Sequence, residues 1–319
     1  MKKIRWGIIG TGNIAHSLAR DFSFVKHGML SAVASRLENN AKRFADEFNI
    51  PIAFGSYHEL YNSQDIDAVY IATPHNFHFQ NSSDALRAGK AVMCEKPISI
   101  DPEECRKLIE VARSTGTYLM EAMWTYFLPP ILKAQKWITE GRIGKVKYVK
   151  ADFGFKANVD KESRLFDLES AGGALLDIGI YPIALISLIL NDFPENVSVF
   201  HKKTATGVDA EETMIFEYSD GVLANLSASI LYKLPNEALI IGDEGYIRIP
   251  DFFMAKECFL YKEDEIKDRF SDQSKCVGYN YEIDAVNMDL IEGKKESAVV
   301  PLEMSLKIQE LMSMVKKKF

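Results

Sequence analysis

A chain of 319 residues, 47% hydrophobic and 26% charged, is long enough for two domains and apolar enough to fill their cores, which excludes a disordered polypeptide. Its 38 Lys and Arg against 45 Asp and Glu leave a net charge of −7, an argument against nonspecific binding to nucleic acid or to an anionic membrane, both of which select a basic face. Cys94, Cys105, Cys258 and Cys276 are far apart and show no Cys/His pairing pattern, so neither a zinc site nor a disulfide framework is expected, and a reducing, cytoplasmic setting fits.

Met1-Lys2-Lys3 carries the charge of a secretory leader, but the apolar stretch behind it is short and broken by Arg5 and glycines, so it reads as a strand. From Lys3 to Met120, apolar runs at Ile4 to Ile9, Leu30 to Ala34, Ala68 to Ala72, Ala91 to Cys94 and Tyr118 to Met120 alternate with helical patterns of about 10 to 15 residues. Most of these runs are continuous, as strands buried on both faces are, which predicts a doubly wound parallel sheet. After Glu121 the pattern alternates: Val146 to Phe153, Val197 to Lys203, Thr213 to Tyr218, Val222 to Ile230 and Ala238 to Ile241, with turns at Ser219-Asp220-Gly221 and Gly242 to Gly245. The expectation is an α/β chain, with a Rossmann domain over 1–121 and an α+β domain with an open, mostly antiparallel sheet over 122–319. Ile215, Leu223, Leu226 and Ile230 lie among small or polar residues on those strands, a composition suited to a face-to-face homodimer. The longest apolar stretch, Ala174 to Leu190, has 17 residues where a bilayer needs roughly 20, and Asp177 and Pro182 interrupt it, so it predicts a buried helix at 173–190; a last helix is expected near 303–317.

Gly10-Thr11-Gly12-Asn13-Ile14-Ala15 follows the first strand and opens a helix carrying Ile14, Leu18, Ala19 and Phe22. Gly10 permits the tight turn, Gly12 lets the backbone approach a phosphate, and Ala15 lets the helix pack closely on the strand, while the helix start offers free N–H groups to a pyrophosphate. This predicts dinucleotide binding. The second strand ends Val33-Ala34-Ser35-Arg36, with no acid to hold a ribose 2′-hydroxyl; a hydroxyl and a guanidinium there suit a 2′-phosphate, so NADP is favoured and NAD is the alternative, with Arg36 then a solvated charge and Glu38 nearer the ribose.

Cys94-Glu95-Lys96-Pro97 ends the Ala91 to Cys94 run at the carboxyl edge, where open α/β sheets bind ligands, and Pro97 restricts Lys96 to extended geometry. A lysine there can hydrogen-bond a substrate oxygen and stabilise an alkoxide; a loop-end ion pair with Glu95 is the structural alternative. Asp177 and Tyr181 are four residues apart, hence on one face of the apolar helix. Tyr181 can serve as proton donor if a cation such as Lys96 lowers its pKa from about 10, and Asp177 can orient the substrate hydroxyl or the ammonium. Thr73-Pro74-His75 and His78 follow the Ala68 to Ala72 run; two histidines without third and fourth ligands favour polar contacts near a cofactor over a metal. Trp124, Tyr126 and Phe127 sit where the pattern changes, suited to either domain packing or a substrate platform.

The Gly10 to Ala15 turn, Thr73-Pro74 with His75 and His78, Glu95-Lys96-Pro97, and Gly172-Gly173-Ala174-Leu175-Leu176-Asp177-Ile178-Gly179-Ile180-Tyr181 occur in the order of the Gfo/Idh/MocA oxidoreductases, which the chain resembles over nearly its whole length. Leu119 to Thr125 and a tyrosine at 181 are similar to the branch of dimeric dihydrodiol and NADP-dependent D-xylose dehydrogenases. The resemblance implies an NADP-dependent dehydrogenase acting on a sugar, polyol or small diol, and a dimer through the second-domain sheet. It implies Lys96 and Tyr181 as catalytic residues, Asp177 as their support, and Trp124 and Phe153 as walls of the substrate pocket. Two departures stand out: the second arginine expected near Asn40 is missing, and Tyr126 replaces a basic residue. A dinucleotide sensor on the same fold, without turnover, is the reading from a different class.

Overall fold

The structure, a computed structural model, describes residues 3–158 and 163–319. Met1 and Lys2 of the charged N-terminus lie outside them. Two compact units form: one from the N-terminus to Trp124 together with Cys276–Leu306, the other Thr125–Lys275 together with Lys307–Phe319.

The first unit holds β1 (Ile4–Ile9), α1 (Asn13–Asp21), β2 (Gly28–Ala34), α2 (Glu38–Phe48), β3 (Ile52–Phe54), α3 (Tyr57–Asn62), β4 (Ala68–Ile71), α4 (His78–Arg87), β5 (Ala91–Glu95), α5 (Pro102–Thr115) and β6 (Leu119–Ala122). The strands pair in parallel in the order β3-β2-β1-β4-β5-β6, the doubly wound sheet expected from the continuous apolar runs. Every residue of β4, β5 and β6 is buried, and Ile9, Val69, Val92, Leu86 and Leu108 share one core. Each such side chain contributes about 1.5 to 3 kcal/mol by leaving water.

The second unit holds α6 (Pro129–Thr139), β7 (Val146–Gly154), α7 (Ile180–Leu190), β8 (Asn196–Lys203), β9 (Asp209–Glu217), β10 (Leu223–Ser229), β11 (Ala238–Gly242), β12 (Tyr246–Ile249), β13 (Glu257–Lys262) and β14 (Glu265–Ser271). Its eight-stranded sheet runs β14-β13-β12-β11-β7-β10-β9-β8 and is antiparallel except where β10 pairs with β7. Met214, Phe216, Leu226 and Ile240 face the buried side; Tyr148, Phe200, Ile215, Leu223, Leu239 and Tyr261 face the other, Phe200 being 75% exposed. Leu226 and Ile230 therefore do not contribute to an open face: alternation along β10 sends Leu226 to the covered side, and Ile230, just past the strand, is buried as well.

Two further expectations change. The C-terminal part of 122–319 is not continuous with the second unit: α8 (Tyr279–Ile291) packs in the first, where Asp21 accepts backbone N–H bonds from Val277, Gly278 and Tyr279 at 2.9, 2.7 and 3.0 Å, and Asn287 accepts from the Trp6 indole at 2.8 Å. The helix at 173–190 is not uniformly α: a π-helical turn, Leu175–Gly179, precedes α7. The last helix, α9, spans Leu302–Lys316. Among the described residues no helix is long and apolar enough to cross a membrane.

Candidate active site

In the first unit the glycine turn is dictated by sterics. Gly10 has φ +97°, and a Cβ there would lie 2.5 Å from the Ala72 carbonyl oxygen, so a side chain is excluded twice over. Gly12 has open space where its Cβ would be and is the N-cap of α1, which no side chain caps. The first-turn N–H groups are thereby left for an anion, and Asn13 and Ile14 begin the helix that presents them. Ala15 and Leu18 are fully buried, holding that helix to the sheet. This cradle, with space above a glycine and uncapped donors, fits the pyrophosphate of a dinucleotide.

The end of β2 places Ser35 and Arg36 next. The Ser35 hydroxyl accepts from Leu37 N–H at 3.3 Å, and the Arg36 guanidinium lies 5.7 Å from the Phe77 ring centroid. Arg36 also acts on Tyr57, where its charge and hydrogen bond oppose the upward push that burial gives the phenol. Arg43 belongs to no motif in the sequence. With Thr11, His16, Asn40, Phe44 and Glu47 it lines a cavity of about 290 Å³ beside the glycine turn, and its guanidinium donates to Asn40 Oδ1 at 2.5 Å. One helical turn past Asn40 on α2, it supplies a second cation near the position where an arginine is missing.

Thr73 and His78 are joined: one His78 ring nitrogen lies 2.8 Å from the Thr73 carbonyl oxygen, the other 2.7 Å from that of Pro97, and Asn81 donates to the Thr73 hydroxyl at 3.1 Å. His78 is fully buried and His75 nearly so, their rings 5.5 Å apart edge to face. His78 thus ties the Thr73 loop to the loop bearing Lys96. Glu95 is buried, accepts from the Tyr70 hydroxyl through Oε1, and accepts the Lys96 backbone N–H at 3.2 Å through Oε2. The Lys96–Pro97 peptide is cis. Trp124 is 5% exposed and stacks on Tyr279 at 4.6 Å with planes 9° apart, a partner that no local pattern announces.

In the second unit the π turn and α7 carry Asp177 and Tyr181. Asp209 holds the start of this segment: its Oδ2 accepts from Leu175 N–H at 2.6 Å, and a Cβ on Gly173, at φ +117°, would meet its Oδ1 at 2.2 Å. Asp177 accepts from the Arg164 guanidinium at 2.8 Å; Arg164 lies outside helical spacing of Asp177 and was not anticipated. Tyr181 is 7% exposed, its ring edge-on to Phe153 at 5.5 Å, and Phe153 stacks on Phe253 at 3.8 Å. An aromatic wall therefore surrounds the phenol, with Phe253 another residue missed in the sequence. Tyr126, where a basic residue was expected, is fully buried and donates its hydroxyl to the Ala184 carbonyl at 2.5 Å, which anchors α7.

The structure thus groups Gly10 to Ile14, Ser35, Arg36, Thr73, His75, His78, Glu95, Lys96 and Trp124 in one unit and Phe153, Asp177 and Tyr181 in the other. Residues 4–123 match the Gfo/Idh/MocA oxidoreductase family, NAD-binding Rossmann fold, and residues 131–248 match the Gfo/Idh/MocA C-terminal domain. The chain is 36% identical to trans-1,2-dihydrobenzene-1,2-diol dehydrogenase of Mus musculus over 98% of its own length and 96% of the mouse protein's. It is 35% identical to the enzyme of that name from Xenopus laevis over 97% of this chain and 96% of that one. Among solved structures, the 3-ketoreductase KijD10 from Actinomadura kijaniata, in complex with NADP and TDP-benzene, has a TM-score of 0.87 at 25% identity, covering 99% of this chain and 98% of that chain. Aldose-aldose oxidoreductase from Caulobacter crescentus shares the fold, with a TM-score of 0.91 at 23% identity over 99% and 97% of the two chains.

Proposed function

Because the chain belongs to the Gfo/Idh/MocA oxidoreductases, we propose that it is an NADP-dependent dehydrogenase of trans-dihydrodiols, with an aldose as the second substrate class. It is an NAD(P)-dependent oxidoreductase that moves a hydride between nicotinamide and a carbon bearing a hydroxyl or carbonyl. The observation that carries the choice of diol is the end-to-end likeness to the dihydrodiol dehydrogenases, 36% over 98% of this chain. The likeness to a 3-ketoreductase bound to NADP and TDP-benzene supports NADP as the dinucleotide, while the sugar stands as runner-up on the sequence resemblance alone.

The dinucleotide, when bound, accepts or supplies the hydride; everything else falls to this chain's residues. The uncapped N–H groups of α1 behind Gly12 would hold the pyrophosphate, and Ser35, Arg36 and Arg43 would meet the adenosine end, Arg36 favouring a 2′-phosphate. Thr73, His75, His78 and Glu95 hold the loops that would border the nicotinamide. Lys96 donates to the substrate oxygen and steadies the alkoxide as it forms, and Tyr181 passes the proton to and from that oxygen. Asp177, fixed by Arg164, orients the substrate hydroxyl, while Trp124 and Phe153 limit the space available to the substrate.

The direct test follows NADPH absorbance with trans-1,2-dihydrobenzene-1,2-diol and a panel of aldoses and polyols. Reduction of NADP by the diol is expected. Tight NADPH binding without turnover of any substrate would leave a dinucleotide sensor instead. Tyr181→Phe removes one oxygen and little volume, so turnover should fall by roughly 10²- to 10⁴-fold with NADPH affinity retained; near-normal turnover across the pH range would dismiss Tyr181 as the acid. We place the protein in the cytoplasm, consistent with four buried cysteines, and assemble it as a homodimer through the open face of the second-unit sheet.

A further inference from the structure

We propose that Glu121 is a positioning residue for Lys96: a buried carboxyl that ties down the turn after β5 and, by gaining or losing a proton, switches a negative charge on and off beneath the lysine. The proposal rests on the reading of Lys96 as the group that meets the substrate.

In the parallel pairing of β5 with β6, Cys94 lies opposite Glu121 and Glu95 opposite Ala122. Paired residues share a face of the sheet, so Glu121 and Glu95 emerge on opposite faces. Each then reaches the same turn. Glu95 Oε2 accepts the Lys96 N–H at 3.2 Å, and Glu121 Oε1 accepts the Ile98 N–H at 2.9 Å. The residue before Lys96 and the strand beside it therefore grip the turn from both sides, with Tyr70 holding Glu95 in place.

Glu121 is fully buried; the Ile98 N–H donates to one oxygen, and the Ser305 hydroxyl acts on the carboxyl without reaching full hydrogen-bond geometry. A carboxylate in such a place cannot be ionised without a compensating charge. The titratable and polar groups that act on it are Glu95, Lys96, Cys94 and the Ser305 hydroxyl. Burial pushes its pKa up to about 7 and Glu95 adds to the rise, while Ser305, the Ile98 N–H and the charge of Lys96 oppose it. Cys94 is held well above the usual thiol range by burial and stays neutral. Glu282 has both oxygens buried without partners, and burial and Glu95 hold it well above the carboxylate range, so it keeps its proton and leaves the charge change to Glu121. Below neutrality Glu121 is neutral and serves only as acceptor for Ile98, and above it the carboxylate provides the Lys96 ammonium with a counter-charge that holds it in place.

The test reads Glu121 itself as well as the reaction. Infrared difference spectra of the full chain, titrated with and without NADPH, should show a protonated-carboxyl C=O band that disappears near neutral pH; Glu121→Gln should remove it and Glu121→Asp should keep a titrating band. Lys96→Met removes the cation, so the midpoint of the band should move to higher pH, a readout that needs neither substrate nor a folded Glu121 variant. In the wild type, diol oxidation should rise through the same midpoint, and Glu121→Gln, which keeps an acceptor for Ile98, should bind NADPH normally but lose that inflection. An unmoved midpoint in Lys96→Met, or an inflection that persists in Glu121→Gln, overturns the proposal. Full turnover by Lys96→Met with the band shifted as expected would instead refute the catalytic reading of Lys96 and leave the Glu121 coupling standing.

Discussion

Arg36 was recognised from its place at the end of β2, but the structure gives it duties that position alone does not reveal. Its guanidinium stacks over Phe77 and acts on Tyr57, so replacing it affects local packing as well as any phosphate. The comparison between cofactors separates these roles. Arg36→Ala should weaken NADP by about tenfold to a hundredfold, the value of one charge-assisted contact, and NAD far less. Fluorescence titration of the reduced cofactors measures both; equal losses would assign Arg36 to packing. Glu121 has a signature of its own in stability. Its carboxyl rises from an ordinary 4.5 to about 7 on folding, so the native state binds the proton more tightly than the unfolded chain does. Its contribution is therefore most favourable below about pH 4.5, declines as pH rises towards 7 and is level above, a change of roughly 3 kcal/mol at most. Glu121→Gln should gain on the wild type over that window in denaturant melts at successive pH values, and an unchanged difference would mean the carboxyl titrates normally.

Among the elements, α8 depends most visibly on a single side chain from elsewhere in the chain. Its N-cap, Gly278, has no side chain to offer, and Asp21, 2% exposed at the end of α1, takes all three N–H groups from 277 to 279. Asp21→Ala leaves those donors buried without an acceptor, at a cost of about 2 to 4 kcal/mol, and should lower the melting temperature by several degrees; an unchanged melt would mean water replaces the carboxylate. Neither α8 nor its cap was legible in the sequence, because Glu282, Asn287 and Asp289 are buried polar residues that blur the apolar period. The parallel strands were legible because burial on both faces leaves continuous runs such as Ala68–Ile71. β3 escaped notice at three half-buried residues, and β13 and β14 did so because Glu257, Lys262, Glu265, Lys267 and Asp268 dilute their alternation. The glycine turn was readable since its constraints are local. The π turn, the Arg164–Asp177 pair and the Trp124–Tyr279 and Phe153–Phe253 stacks were not, since each depends on tertiary packing.

At the scale of the whole molecule, the proposed homodimer would form through the open face of the second-unit sheet. An eight-stranded sheet offers a partner both edges and a face, and the edges here are poor choices. β8 ends in His201, Lys202 and Lys203, and β14 carries Glu265, Lys267, Asp268 and Arg269, the charge by which edge strands resist pairing. The face is different. Tyr148, Phe200, Ile215, Leu223, Leu239 and Tyr261 lie on it, Tyr261 stacked on Tyr246 at 4.6 Å, and Phe200 and Leu223 are 75% and 40% exposed. Apolar side chains gathered on one broad surface favour burial against another protein, and a two-fold pairing of identical faces satisfies both copies at once, at the roughly 1,600 Å² typical of a stable interface. Light scattering at micromolar concentration should give twice the 36.0 kDa of the single chain. Phe200→Lys puts a charge at the most exposed apolar position of the face and touches no buried core, so it should yield a monomer with an unchanged circular dichroism spectrum and melting profile. Leu223→Glu, on the neighbouring part of the face, should act in the same direction. A wild-type monomer, or a dimer that both substitutions leave intact, would move the interface away from this sheet.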